Sequence, residues 1–431
     1  MPDAPPSPSP SQAPPPPVHL GERLVVPVDV GQVQASVTFD RAAATVSVEA
    51  VVDFALEECD GYPALDLRQP LDSVRLDGVR LPGEAFSPTD LGGGPGAEMR
   101  VLDRSLARGS RHRLELRYRL ATPAAQGAEA LGWIGDAVRW DFWMSDLHPG
   151  RYLEMWLPAN LSHDRFQLKL KVAVEGGGAH QLITNGTEHQ QGPNEWQVEY
   201  PATFTSLSPM LVLRPRDEIE LRSRPGKVEL ITAKVAESDA DLDANEADIA
   251  GWLEYNEHRY GPWVHGNRFT TVLLGPGRGM EYDGATTASV GAVEHEVFHS
   301  WFGRGIKPWR ASDGWIDEAW TSWATNSRRR ELGRFAVEEL SLEEPAVLLY
   351  PPSPWSRHTP VESYREGARL FAGVAYLLGG APEMRQAMAD WYRQHAGGFV
   401  TTTDLERHLS KRAEGVAALF ARYVHGRERR E

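Results

Sequence analysis

His295-Glu296-Val297-Phe298-His299, then eighteen residues, then Glu318: the stretch from 295 to 318 decides how the rest of this chain is read. His-Glu-x-x-His on a helix places two imidazoles one turn apart on one face, where both can hold one metal ion. Zinc accepts two imidazole nitrogens and one carboxylate oxygen and keeps a fourth position open for water. Glu318, on a following helix, suits the third ligand position, and Glu296 then lies beside that water and can take its proton. The pentapeptide fixes only three residues and also occurs in solvated helices. A carboxylate at this distance favours the metal reading. Between the two parts lie Trp301, Phe302, Gly303, Trp309, Asp313 and Trp315, an aromatic-rich segment suited to walling a pocket.

Composition agrees with a globular enzyme. A chain of 431 residues has room for two or three domains. The net charge of −15 argues against nucleic acid as a partner, because phosphate binding needs clustered Lys and Arg; it mildly favours substrates that carry an amino group. Cys59 is the sole cysteine, which excludes an internal disulfide and reads as an incidental thiol. No run approaches the length of a transmembrane helix.

The expected organisation is α+β and multidomain. Residues 1–17 contain nine prolines and read as a disordered or polyproline-like tether. They lack the basic start and apolar core of a signal peptide. Such a tether can also follow a signal or lipid anchor, so the compartment stays open between cytoplasm and export. Residues 18–222 read as an antiparallel β-sandwich or saddle-shaped sheet. Strict alternation in Arg113–Leu120 and Phe166–Val172 gives one apolar and one wet face, and Gln34–Phe39, Thr45–Phe54 and Glu195–Tyr200 are further strands. Residues 223–431 read as mixed, then mostly helical. Strands are expected over Val228–Val235 and Phe269–Leu274. Helices are expected over Ala240–Tyr260, Val290–Phe302, Asp313–Arg329, Glu362–Leu378, Pro382–His395 and Thr403–Ala413.

Three ordered signatures carry a family resemblance. His-Glu-x-x-His-x-Trp-Phe-Gly followed by Trp-x-x-Glu occurs at His295, Glu296, His299, Trp301, Phe302, Gly303, Trp315 and Glu318. Gly279-Met280-Glu281 precedes it and Tyr364-x-x-Gly367 follows it. On these the chain resembles the aminopeptidase N and leukotriene-A hydrolase-like zinc metallopeptidases, in a short form without their C-terminal helical domain. The resemblance implies a thermolysin-like catalytic domain with one zinc ion held by His295, His299 and Glu318. It implies Glu296 as the base, Tyr364 as a donor to the oxyanion, and Gly279, Met280 and Glu281 as the loop that binds the substrate's free α-ammonium. It departs from the family pattern at Arg278, Tyr282, Arg304 and Asp317. Arg278 is placed to pair with Glu281 and blunt amine recognition, and Asp146 or His148 is a neighbourhood candidate for a second amine ligand. The expected function is a zinc aminopeptidase that acts on peptides with a free N-terminus. A zinc endopeptidase or specialised peptide hydrolase with an open cleft, and a peptide-binding module without catalysis, are the alternatives. Side-chain preference and oligomeric state stay open.

Overall fold

The computed structural model describes residues 14–94, 96–120, 131–135, 137–145, 147, 151–277, 279–326, 335–351 and 353–427. Of the Pro-rich segment only 14–17 are described. Pro16 accepts a hydrogen bond from the Trp355 indole at 3.2 Å, so this end of the expected tether lies against the folded chain.

Period-two alternation builds the first part of the molecule. Asp29–Asp40 pairs antiparallel with Thr45–Ala55 along its length, and Arg111–Arg119 pairs with the far side of Thr45–Ala55. Val33, Val37, Phe39, Val48 and Val52 point into one core while the alternate residues face water. These strands lie in an eight-stranded sheet, beside which stand a five-stranded and a four-stranded sheet. The pairing is not antiparallel throughout. Gln167–Glu175 runs parallel to Asp29–Asp40, and Tyr62–Leu65 runs parallel to Arg23–Pro27. Parallel neighbours need long crossover connections, and the chain supplies them by travelling through the other sheets.

A five-stranded mixed sheet follows, in the order Ile219–Arg224, Glu229–Val235, Arg268–Leu273, Ala285–Ala288 and Gly279–Tyr282. Its three central strands are parallel and both edges antiparallel. The first strand straddles residue 222, where the residue pattern changes from β to mixed. The helices are α1 (Leu242–Tyr260), α2 (Val293–Phe298), α3 (Trp315–Asn326), α4 (Glu366–Leu378), α5 (Ala381–His395), α6 (Thr402–Ser410) and α7 (Val416–Tyr423). Asp241 caps α1 through the amides of Asp243 and Ala244, and Thr401 with Asp404 forms a capping box on α6.

Two local features position the site. Helix α2 is shorter than its apolar pattern implies, because its bonds tighten to i→i+3 at Ser300 and Trp301. Gly303 then turns the chain at φ +117°, and a Cβ there would lie 2.1 Å from Asp317 Oδ2. Farther on, a Cβ at Gly367 would lie 2.5 Å from the Ala319 Cβ. The bare glycine lets α4 approach α3 closely.

The tryptophans of the 301–315 segment stand away from His295 and Glu296: Trp301 borders a groove with Trp263, and Trp309 one with His163 and Arg310. Trp301 and Trp315 are fully buried with Trp320, Trp323 and Trp391 in the helical core. Their area makes them packing residues. Cys59 is half-buried against the β core. Between the β-rich and helical parts, the buried Arg357 bonds Asp66 and reaches Glu154 at 2.8 Å. Among the described residues, no helix is long and apolar enough to cross a membrane.

Candidate metal centre

Helix periodicity brings His295 and His299 to the same face of α2, and the approach of α3 sets Glu318 opposite them. His295 Nε2 is 3.1 Å from Glu318 Oε2, and His299 Nε2 is 3.6 Å from the same oxygen. One donor atom from each residue lies within 4.8 Å of the other two. His299 is fully buried, and its Nε2 has no hydrogen-bond partner. Leaving such an atom unbonded costs about 1–3 kcal/mol. A cation shared by the three donors would satisfy it, and two imidazoles with one carboxylate is a set that zinc accepts.

The opposite nitrogen of His299 is held from behind. Nδ1 bonds the Asp317 carboxylate and lies 3.2 Å from the Phe302 carbonyl and 3.3 Å from Thr321 Oγ1. This fixes the ring with Nε2 toward Glu318. Burial by itself would lower the His299 pKa, yet Asp317, Glu281 and Glu318 raise it well above the usual range. Burial works to raise Glu318, but His299 and His295 hold it far below an ordinary carboxylate. Burial pushes Asp317 up against the pull of His299. Glu296 is buried in the same cluster, so four carboxylates crowd one imidazole. A divalent cation would offset that excess of negative charge.

Glu296 and His295 line a cleft of about 760 Å³ with Tyr364, Ser322, Phe335 and Arg369. No tryptophan is among its described lining residues. Tyr364 donates its hydroxyl to Glu318 Oε1 at 2.5 Å and stacks on His295 with ring centroids 6.1 Å apart. Gly279 presses its backbone against the Glu296 carboxylate; a Cβ there would lie 2.2 Å from Oε1. Met280 points the other way, into the β core. Glu281 is buried beside Glu296 and His299 and is not among the cleft-lining residues. Its expected partner, Arg278, and the candidates Asp146 and His148 lie outside the described residues. The observed partner is Arg304, whose Nη2 stands 2.7 Å from Glu281 Oε1.

No protein-family model and no curated protein matches this chain. Solved structures do. A glutamate-to-alanine mutant of an M1 zinc metallopeptidase from Deinococcus radiodurans, bound to a Tyr-Ser-Ala substrate, superposes with a TM-score of 0.65 at 18% identity, covering 94% of this chain and 96% of that one. The fold is that of the M1 zinc metallopeptidases. The unmutated Deinococcus radiodurans enzyme gives a TM-score of 0.64 at 19% identity, covering 94% and 95%. Native yeast leukotriene A4 hydrolase gives 0.62 at 16% identity, covering 91% of this chain and 66% of that one.

Within this M1 fold, sequence reasoning missed two site residues. Asp317 registered only as a departure from the family pattern. Its adjacency to Glu318 was the available signal, since a ligating imidazole usually donates its second N–H to a carboxylate. Arg304 left no such signal, because its pairing with Glu281 depends on how the Gly303 turn folds back. Tyr282, another departure, is buried and donates its hydroxyl to the Phe142 carbonyl at 2.8 Å, which ties the edge strand to the β-rich part.

Proposed function

We propose that the chain is a zinc-dependent aminopeptidase that hydrolyses N-terminal residues from peptides lodged in the 760 Å³ cleft. The observation that carries this reading is the convergence of His295, His299 and Glu318 around a buried imidazole nitrogen that makes no hydrogen bond, with Glu296 and Tyr364 lining the same cleft. His295, His299 and Glu318 would hold one zinc ion. When bound, the ion lowers the pKa of water toward neutrality and polarises the scissile carbonyl. Glu296 takes the proton of the attacking water and delivers it to the departing amine. Its backing by Gly279 limits the positions that its carboxylate can take. Tyr364 turns its hydroxyl from Glu318 to the substrate oxygen as that oxygen gains charge, which such a donor favours by about 100- to 1,000-fold in rate. The Tyr-Ser-Ala substrate bound in the Deinococcus structure supports a peptide as the substrate class.

The test is zinc content and turnover measured together. Tyr-Ser-Ala should be cleaved by zinc-loaded enzyme, cleavage should stop on chelation, and Glu296→Gln should keep the zinc while losing turnover. Zinc-loaded protein that cleaves no peptide would instead favour a peptide-binding module.

A further inference from the structure

Beside Trp309, where the β-rich and helical parts meet, lies a cavity of about 30 Å³. Arg310, Arg357 and His163 line it with Ser206, Ser356 and Pro15, and no carboxylate is among its described lining residues. Arg357 is balanced by Asp66 and Glu154. Arg310 has no such pair among the described residues. Its Nε is shut off from solvent and makes no hydrogen bond. The acid nearest to it in sequence, Asp313, spends Oδ1 on the Thr402 amide and hydroxyl, at 2.7 and 2.8 Å. Ser356 is only 5% exposed, and its Oγ is buried without a partner as well. Buried polar groups are normally matched, and buried charges are normally paired.

Both unmatched groups can donate a hydrogen bond, and a guanidinium nitrogen cannot accept one. A water molecule would answer the donors but leave the charge of Arg310 unbalanced, whereas an anion answers both. The space holds one or two water-sized occupants, so a tetrahedral oxyanion overfills it. We propose that this cavity is a binding site for one small monovalent anion of the halide class, held by Arg310 and Ser356. The ion joins three stretches of chain. His163 and Ser206 belong to the β-rich part, and Pro15 to the proline run that the Trp355 indole holds through Pro16. Arg310 stands at the start of the turn Ala311–Asp313 that leads into α3, so the ion braces the approach of the helix that carries Glu318. The site does not depend on what the cleft hydrolyses.

Bromide is the probe that locates the ion. Crystals of the full chain grown in sodium bromide should show an anomalous peak in the cavity, within hydrogen-bonding reach of Arg310 Nε and Ser356 Oγ. In solution, thermal denaturation is followed in sodium chloride and in sodium gluconate at equal ionic strength, since gluconate is too large to enter. At a tenfold excess of chloride over its Kd, Tm should stand about 1–2 °C higher than in gluconate. Arg310→Gln should erase that difference, and Ser356→Ala, which keeps the charge, should reduce it. A cavity without bromide overturns the proposal, and that result needs no variant to fold. Equal Tm in the two salts overturns it too, because a peak would then mark an adventitious ion only. A chloride-specific rise that survives in Arg310→Gln places the ion elsewhere and is equally fatal.

Discussion

Replacing Asp317 by Asn keeps the shape behind His299 and removes the charge. Three acceptors surround His299 Nδ1: the Asp317 carboxylate, the Phe302 carbonyl at 3.2 Å and Thr321 Oγ1 at 3.3 Å. Only the first is ionic, and a charge-assisted bond is roughly twice as strong as a neutral one. Partners of this kind contribute about 10- to 100-fold to metal affinity, or about 1.4–2.8 kcal/mol. Because the Asn oxygen and both neutral acceptors remain, the expected loss lies near the lower bound, about tenfold. Competition between the protein and a chromogenic chelator reads it directly. At saturating zinc, kcat should stay within a few-fold of the parent, since Glu296 and Tyr364 are untouched. Unchanged zinc affinity would refute the reasoning, because the carbonyl and hydroxyl would then suffice to orient the ring.

Tyr364→Phe should lower kcat by about 100- to 1,000-fold with little change in KM, measured by steady-state hydrolysis of a free-amine peptide. Gly367→Ala puts a methyl 2.5 Å from the Ala319 Cβ, next to Glu318. Overpacking of this kind costs about 1–3 kcal/mol, so thermal denaturation should come earlier and activity should fall with it. His163 is buried beside Arg310, and burial foremost holds its pKa down to about 4 from the ordinary 6.5. The unfolded chain therefore takes up this proton first. Stability is full above about pH 6.5 and falls by about 3 kcal/mol as pH drops to about 4, and His163→Gln should flatten that slope in urea titrations.

Much of the fold was legible where periodicity is long. Glu195–Tyr200 matches its alternation at both ends, and the expected Arg113–Leu120 starts two residues after and ends one residue after the strand Arg111–Arg119. Helix α1 begins at Leu242, two residues after its expected start at Ala240. Short or long-range features stayed hidden. The edge strand Gly279–Tyr282 is four residues long, too short for a pattern, and its flanks are glycine-rich. Helix α7, eight residues long, was not anticipated, and it begins after Gly415 in the left-handed region. The parallel pairing of Gln167–Glu175 with Asp29–Asp40 joins segments that no local signal links. In the site, the ligand triad was readable because helix geometry alone places His295 and His299. The partner of Glu281 was not. Arg304 stands 23 residues from Glu281, and only the Gly303 turn reveals that pairing.

The junction at Arg357 has a mechanical consequence. Its guanidinium comes from the helical part, and the carboxylates that it meets, Asp66 and Glu154, belong to the β-rich part. All three are buried. Prying the two parts open would part the Arg357 guanidinium from both carboxylates, although Asp66 keeps Arg68 at 3.6 Å. Heat or denaturant should therefore meet one cooperative unit, and a calorimeter should record a single peak. For the same reason a bulky substrate gains no room from a hinge at this seam, so any widening of the cleft falls to its own rim, around Phe335 and Arg365.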